Sequence, residues 1–343
     1  MNIGILGFAH GHVLAYCNQW RARPELDVAV VAGWDHKPER VKQAAEQYGL
    51  RIVSSAQELL ADPQIAAVVI GAETVLHAEL VELAAAAGKA VVVQKPIALT
   101  LEQADRIVAA VQRSRIPFTL AWQMREDPQN RKMKELMASG CLGRILMVRR
   151  RHGLATHVWR DFDQTWHVNP ALNRDIWADD AAHPADFLYW LMGMPVSVTA
   201  ELASLVNPRI PNDNGIAIFR YADGRIAEIS CSFTCVAGEN TTEIIGAKGV
   251  VIQNYGDLTS ANVPRPAGGV GLKWFLQEQG AWTVSDTREV ANHGERINAL
   301  AGPLSDFLHG RRPPIATATE GRDVLRMILA CYESNEKGVR VRL

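Results

Sequence analysis

Charge of one sign is missing from this chain: 36 Lys and Arg stand against 37 Asp and Glu, a formal net charge of -1. Such a balance offers no basic surface to nucleic acid or to an anionic membrane, so neither is expected as a partner. Long apolar runs are missing too. Without ~20 uncharged apolar residues in a row, a membrane span is not expected. The opening MNIGILG carries no Lys or Arg before Arg21, so a secretory leader with a basic front is not expected either. Cysteine is scarce, scattered and odd in number (Cys17, Cys141, Cys231, Cys235 and Cys331), which is no disulfide framework. A reducing, cytoplasmic location follows as the expectation. What is present is a 343-residue chain, 48% apolar and 21% charged. At about 100–200 residues per domain, that length suggests two domains, each able to bury a core.

The first third alternates short aliphatic runs with helix-length amphipathic ones. Strands are expected at 2–6, 28–33, 66–70, 90–93 and 118–121, with a weaker one at 51–53. Several are apolar on both faces, as strands inside a parallel sheet must be. Helices are expected between them at 13–23, 38–48, 76–87 and 101–114, with Thr100 as an N-cap and Pro38 at a first helical position. This rhythm predicts an α/β chain that opens with a doubly wound Rossmann sheet over residues 1–122.

From residue 123 to 343 the pattern changes. A helix at 129–139 precedes strands at 145–151, 196–205, 215–221, 225–234, 242–246 and 250–253, now with alternating apolar residues. Tyr221-Ala222-Asp223-Gly224 and Gly246-Ala247-Lys248-Gly249 read as hairpin turns, and 263–271 as a Gly/Pro-rich loop. The second domain is expected to be α+β, an open and largely antiparallel sheet with helices on one face.

Gly7-Phe8-Ala9-His10-Gly11-His12 follows the first strand and opens a helix. A dinucleotide loop needs a tight turn, a small residue beside the pyrophosphate and a helix N-terminus aimed at the anion. Gly7 meets the first need and Ala9 the second, with His12 where a third glycine is usual; a plain glycine-rich turn is the alternative. Asp35 ends the second strand, where a carboxylate accepts both ribose hydroxyls of NAD and repels the 2′-phosphate of NADP. Its alternative is a solvated loop acid. His36, Lys37 and Arg40 offset that charge in part.

Gln94-Lys95-Pro96 ends the fifth strand. Ligands of open α/β sheets lie outside the carboxyl ends of the strands, so Lys95 is expected to face one. Asp179, His183 and Asp186 fall on one face if their segment is α-helical, at i, i+4 and i+7. An imidazole flanked by carboxylates suits a general base, although the same acids would also serve as helix caps.

Taken in order, Gly7, Asp35, Gln94-Lys95-Pro96 and Asp179-x-x-x-His183-x-x-Asp186 resemble the Gfo/Idh/MocA family of NAD(P)-dependent sugar and polyol oxidoreductases. Residues 71–96 resemble its passage from fourth to fifth strand, and 134–145 (KELMASGCLGRI) its entry into the second domain. Residues 321–341, with Ala330-Cys331-Tyr332-Glu333-Ser334, resemble its closing helix and strand. The resemblance implies that Lys95 holds nicotinamide and substrate while Asp179 and His183 complete the catalytic group. It implies cofactor contacts from Gly7, Phe8, Ala9, His10, Gly11, His12, Asp35, Gly71, Glu73, His77, Gln94 and Lys95. Three departures mark a divergent member. Gln94 replaces the usual Glu, Ala181 the usual glycine before the histidine, and Asn173-Arg174-Asp175 a glycine-rich segment.

The reaction so implied is reversible hydride transfer between nicotinamide and a carbinol carbon of a sugar, polyol or related hydroxy compound, with NAD favoured over NADP. His183, oriented by Asp179, exchanges the hydroxyl proton, and Lys95 hydrogen-bonds the same oxygen. Lys95, Arg125, Trp166, His167, Asn173 and His183 are the expected substrate contacts, with Trp159 and Arg160 nearby. Trp166 and Trp177 flank the segment, Trp177 reading better as core. Two rival readings stand: a glycoside-cleaving enzyme that cycles bound NAD without net NADH, and a non-catalytic cofactor-binding sensor. No metal is expected, because the spacing of His152, His157 and His167 matches no ligand pattern and Cys231 and Cys235 have no companion pair. A homodimer or homotetramer is expected, by analogy with relatives, to cover the open sheet.

Overall fold

The computed structural model describes residues 1–237, 240–255 and 270–343, so most of the loop expected at 263–271 lies outside the described residues. The chain forms two compact units. The first joins Met1–Gln123 to Ala171–Asn173 and Ile297–Leu325; the second holds Met124–Pro170, Arg174–Arg296 and Arg326–Leu343.

In the first unit, six strands form one parallel sheet: β1 (Asn2–Leu6), β2 (Ala29–Trp34), β3 (Arg51–Ile52), β4 (Ala67–Ile70), β5 (Ala90–Val93) and β6 (Phe118–Leu120). Their order is β3-β2-β1-β4-β5-β6, the doubly wound arrangement, with its switch point between β1 and β4. All four residues of β4, and all but the first of β1 and β5, are buried. Helices cover both faces of such a sheet, which is why these strands read as unbroken aliphatic runs. The carboxyl ends are in register: Leu6 pairs with Trp34 and Ile70, Ile70 with Val93, and Val93 with Leu120. Gly7, Asp35, Gly71 and Gln94 therefore leave the sheet along one edge.

The intervening helices are α1 (Gly11–Ala22), α2 (Pro38–Tyr48), α3 (Ala56–Ala61), α4 (His77–Ala86) and α5 (Leu101–Ser114). Thr100 caps α5 by accepting the Gln103 N–H at 3.2 Å, and Pro38 opens α2. The short α3, capped by Ser55, was not anticipated, because six residues show too little periodicity to register.

Distant segments complete this unit through specific bonds. Trp20 Nε1 donates to the Ala301 carbonyl at 3.0 Å, and Leu120 N–H to Ala316 at 2.9 Å. Val75 N–H donates to Leu172 at 3.1 Å, and the Thr74 hydroxyl to Asn173 Oδ1. A boundary drawn along the sequence misses such returns of the chain, because no composition change marks where they begin and end.

The second unit opens on α6 (Pro128–Ala138), capped by Asp127, whose Oδ1 accepts the Gln129 and Asn130 N–H groups at 2.9 and 3.2 Å. Its strands are β7 (Ile145–Gly153), β8 (Ser197–Ala203), β9 (Asn214–Arg220), β10 (Ile226–Ser232), β11 (Asn240–Gly246), β12 (Gly249–Tyr255), β13 (Leu272–Leu276), β14 (Ala281–Val284) and β15 (Val341–Arg342). They form one sheet in the order β14-β13-β12-β11-β7-β10-β9-β8-β15, antiparallel except where β10 lies parallel to β7. The hairpin β13–β14, which turns at Gly280 with φ +65°, was not anticipated. Burial alternates along β9 and β10, as expected for a sheet covered on one face. The covering helix is α7 (Ala182–Met192), preceded by a π-helical turn at Trp177–Ala181. Ile216 and Ile218 on the other face are 47% and 44% exposed.

Candidate active site

In the first unit, Gly7 has φ +88°, and a side chain there would lie 2.4 Å from the Ala72 backbone. Glycine is thus required by both torsion and space. Its N–H donates to the Trp34 carbonyl at 2.7 Å, and the His10 N–H to Gly71 at 2.9 Å, so backbone bonds fix the loop. Gly71 is equally confined, since a Cβ would meet Val13 Cγ2 at 2.3 Å. The His10 side chain caps α1, Nδ1 accepting the His12 N–H at 3.4 Å. At Gly11, by contrast, a Cβ would meet nothing within 4 Å. The first residue of a twelve-residue helix therefore borders open space, the setting in which orphan N–H groups hold a phosphate.

Asp35 lies at the end of β2 with its side chain buried. Its Oδ2 accepts the Phe8 N–H at 2.6 Å and its Oδ1 the Lys37 N–H at 2.8 Å. Glu73, in the loop after β4, is also wholly buried. Burial pushes the Glu73 carboxyl upward, but Arg40, bonded at 2.5 Å, helps hold it below the usual carboxylate range. The same contact raises Arg40 against its own desolvation.

Gln94 and Lys95 are buried, at 0% and 3% exposure, and the Lys95–Pro96 peptide is cis. Gln94 faces the Tyr16 hydroxyl; burial raises the Tyr16 pKa and that contact lowers it. His77 is buried in the same unit. Its Nδ1 lies 3.0 Å from the Pro96 carbonyl and its Nε2 3.2 Å from that of Ala72. Burial is the largest influence and brings the imidazole down to about 4, against the carbonyls, which raise it. A neutral ring between two chain segments fits a brace better than a proton carrier.

The second unit gathers a different group. The π turn adds a residue to the helical repeat ahead of α7, so the expected α spacing does not run through Asp179. Asp179 Oδ2 lies 3.0 Å from His167 Nδ1. Asp180 Oδ1 lies 3.7 Å from His183 Nε2, an i,i+3 pair that was not singled out in the sequence. Asp186 accepts from Arg125 Nε at 3.0 Å and from Nη2 at 2.7 Å, both side chains being buried. The guanidinium expected to meet substrate is thus balanced within this unit. Trp166 is half-buried and stacks on His167 at 4.0 Å, whereas Trp177 is fully buried, as a core residue. Trp159 is 37% exposed and Arg160 is exposed beside it.

Asp175 braces the approach to the π turn. Its Oδ1 accepts from the Tyr332 hydroxyl at 2.5 Å and the Ala178 N–H at 3.0 Å, and its Oδ2 from Asn212 at 2.7 Å. Burial outweighs these bonds and raises its pKa. Two inward positions of β7 carry Arg150 and His152, which sequence reading did not place here. Arg150 stacks on the Phe187 ring of α7 at 4.8 Å, and the His152 ring lies 6.1 Å from that of His183. Polar residues at buried positions of an alternating strand were the signal available. Among the described residues, no group of three or more His, Cys, Asp or Glu could hold a metal ion.

Residues 1–120 match the oxidoreductase family with an NAD-binding Rossmann fold, and residues 130–252 match the Gfo/Idh/MocA C-terminal domain. The chain belongs to the Gfo/Idh/MocA family. It is a nicotinamide-dependent oxidoreductase with NAD as its cofactor, and it is divergent within the family. The myo-inositol 2-dehydrogenase of Thermotoga maritima is 26% identical over 100% of this chain and 98% of that protein. The inositol 2-dehydrogenase of Rhizobium meliloti is 31% identical over 66% of this chain and 68% of that one. A levoglucosan dehydrogenase solved in complex with NADH has the same fold, with a TM-score of 0.85 at 21% identity over 100% and 98% of the two chains.

The first unit of this Gfo/Idh/MocA chain fits that cofactor. Gly7 and Gly71 are positions a Cβ would obstruct, Gly11 borders open space, and Asp35 is a carboxylate just past a strand end, a group able to accept from ribose hydroxyls.

Proposed function

We propose that this oxidoreductase interconverts a carbinol and a carbonyl on a sugar, polyol or related hydroxy compound. The observation that carries the reading is Lys95, a lysine only 3% exposed at the carboxyl edge of the NAD-binding sheet. A cation is seldom buried there without chemistry to perform. The names of the relatives, inositol and levoglucosan dehydrogenases, support the substrate class.

The segment 7–12 would hold the pyrophosphate on the α1 N-terminus, with Gly71, Glu73, His77 and Gln94 shaping the surrounding loops. Asp35 would accept the adenosine ribose hydroxyls. Bound NAD supplies the hydride acceptor. Lys95 would donate to the carbinol oxygen and stabilise charge that develops on it. His183 would take the hydroxyl proton, with Asp180 beside its Nε2 and Asp179 on the same segment. Trp166 and His167, and Asn173 near Thr74, would line the substrate.

The chain would act in a reducing compartment such as the cytoplasm, in keeping with its five free cysteines. A homodimer or homotetramer would cover the face that bears Ile216 and Ile218. The direct test is a panel of inositols, sugars and sugar acids with NAD and with NADP, followed by absorbance of the reduced cofactor. A protein that binds NAD but reduces none of it with any member of the panel would sink the proposal.

A further inference from the structure

One strand-end carboxylate suffices to meet the two hydroxyls of an adenosine ribose. Here a second, Glu73, is buried in the same place. Its Oε1 accepts from Arg40 Nη2 at 2.5 Å, while Arg40 Nη1 stands 3.5 Å from Asp35 Oδ2. The His36 imidazole, Nδ1, lies 3.4 Å from Asp35 and 3.6 Å from Glu73. Lys37 supplies only its N–H to Asp35, its side chain being exposed.

Arg40 occupies the first turn of α2, directly after the loop that Asp35 opens. A guanidinium in that position has the fork geometry and charge that bind a phosphate when it is free to turn. Buried ion pairs contribute little to stability, because desolvation offsets the attraction. Stability is therefore a poor reason for Glu73 to stand at the cofactor edge. Charge supplies a better one. With Glu73 present, two acids face one guanidinium, and a 2′-phosphate would add roughly −1.5 to −2 more.

We propose that Glu73 is a cofactor-specificity residue: by holding Arg40 it withholds that guanidinium from a 2′-phosphate, and so selects NAD against NADP. The inference rests on Asp35 as the ribose acceptor and adds a second determinant that acts through Arg40.

Isothermal titration of NAD and NADP into the full-length protein tests it without turnover. Glu73→Gln should lower the ratio of the NADP to the NAD dissociation constant at least fivefold, and Arg40→Ala added to it should restore the ratio. A fall of less than fivefold overturns the proposal, as does a gain that survives loss of Arg40. If Glu73→Gln gives no cooperative melt, Glu73→Asp, which draws the charge back from Arg40, is judged by the same threshold. Asp35→Asn separates the two readings: unchanged NAD affinity in that variant removes the ribose assignment, whatever the Glu73 result.

Discussion

Buried acids occur in both units, but they are held in different ways. Asp35 and Glu73 hang from the ends of neighbouring loops, each fixed by a strand of the parallel sheet. Asp179 and Asp186, with the half-buried Asp180, ride one helical segment, and their directions depend on how that segment winds. A strand end positions a side chain by register, which sequence displays openly. A helix positions it by phase, and one π turn changes the phase of everything before it. The first arrangement is readable from order alone; the second has to be seen.

This contrast can be broken most sharply at the two groups proposed to act on the carbinol. Lys95→Ala and His183→Ala should each lower kcat by about 10²–10⁴, with NAD still bound by titration. Near-wild-type turnover in either would remove that residue from the chemistry. Next in size is Asp186→Ala. It leaves Arg125 charged and buried, so urea unfolding should register a loss of about 3–5 kcal/mol. Glu82→Ala breaks the exposed pair with Arg106 and should cost no more than about 1 kcal/mol. Equal losses would mean that Arg125 is not sealed from solvent.

His77 brings in pH. Its folded-state value of about 4 lies below the ordinary 6.5, so the unfolded chain takes up the proton first. The stabilisation is whole above pH 6.5 and is lost as pH falls toward 4. At about 1.4 kcal/mol per pH unit the loss is roughly 3 kcal/mol. Melts of wild type and His77→Gln across that window should diverge, the wild type losing more; parallel curves would refute the assignment. An effect of similar size to that of Glu82→Ala is expected for Thr100→Ala, which removes the cap of α5 at a cost of about 1 kcal/mol. A change below about 0.3 kcal/mol would show that water replaces the hydroxyl.

Much of the first unit was legible because strands buried on both faces leave runs such as Val91-Val92-Val93. Pro38 and Thr100 stand where expected for similar reasons, since starts of helices have local chemistry. The segment around Asp179 was harder. Nothing in Trp177-Ala178-Asp179-Asp180-Ala181 announces a π turn, and the pairing of Arg125 with Asp186 joins residues 61 apart. No periodicity spans that distance. The returns at Ala171–Asn173 and Ile297–Leu325 escaped notice for the same reason.

The crowding at Gly7 has a wider consequence. Where main chain presses on main chain, as it does against Ala72, shape is set by atoms every amino acid shares, and substitution elsewhere leaves it unaltered. A cradle of that kind ages slowly. A wall drawn by rings and acids is rewritten by each exchange, so the loop at Gly7 can keep its form while the side chains around it change.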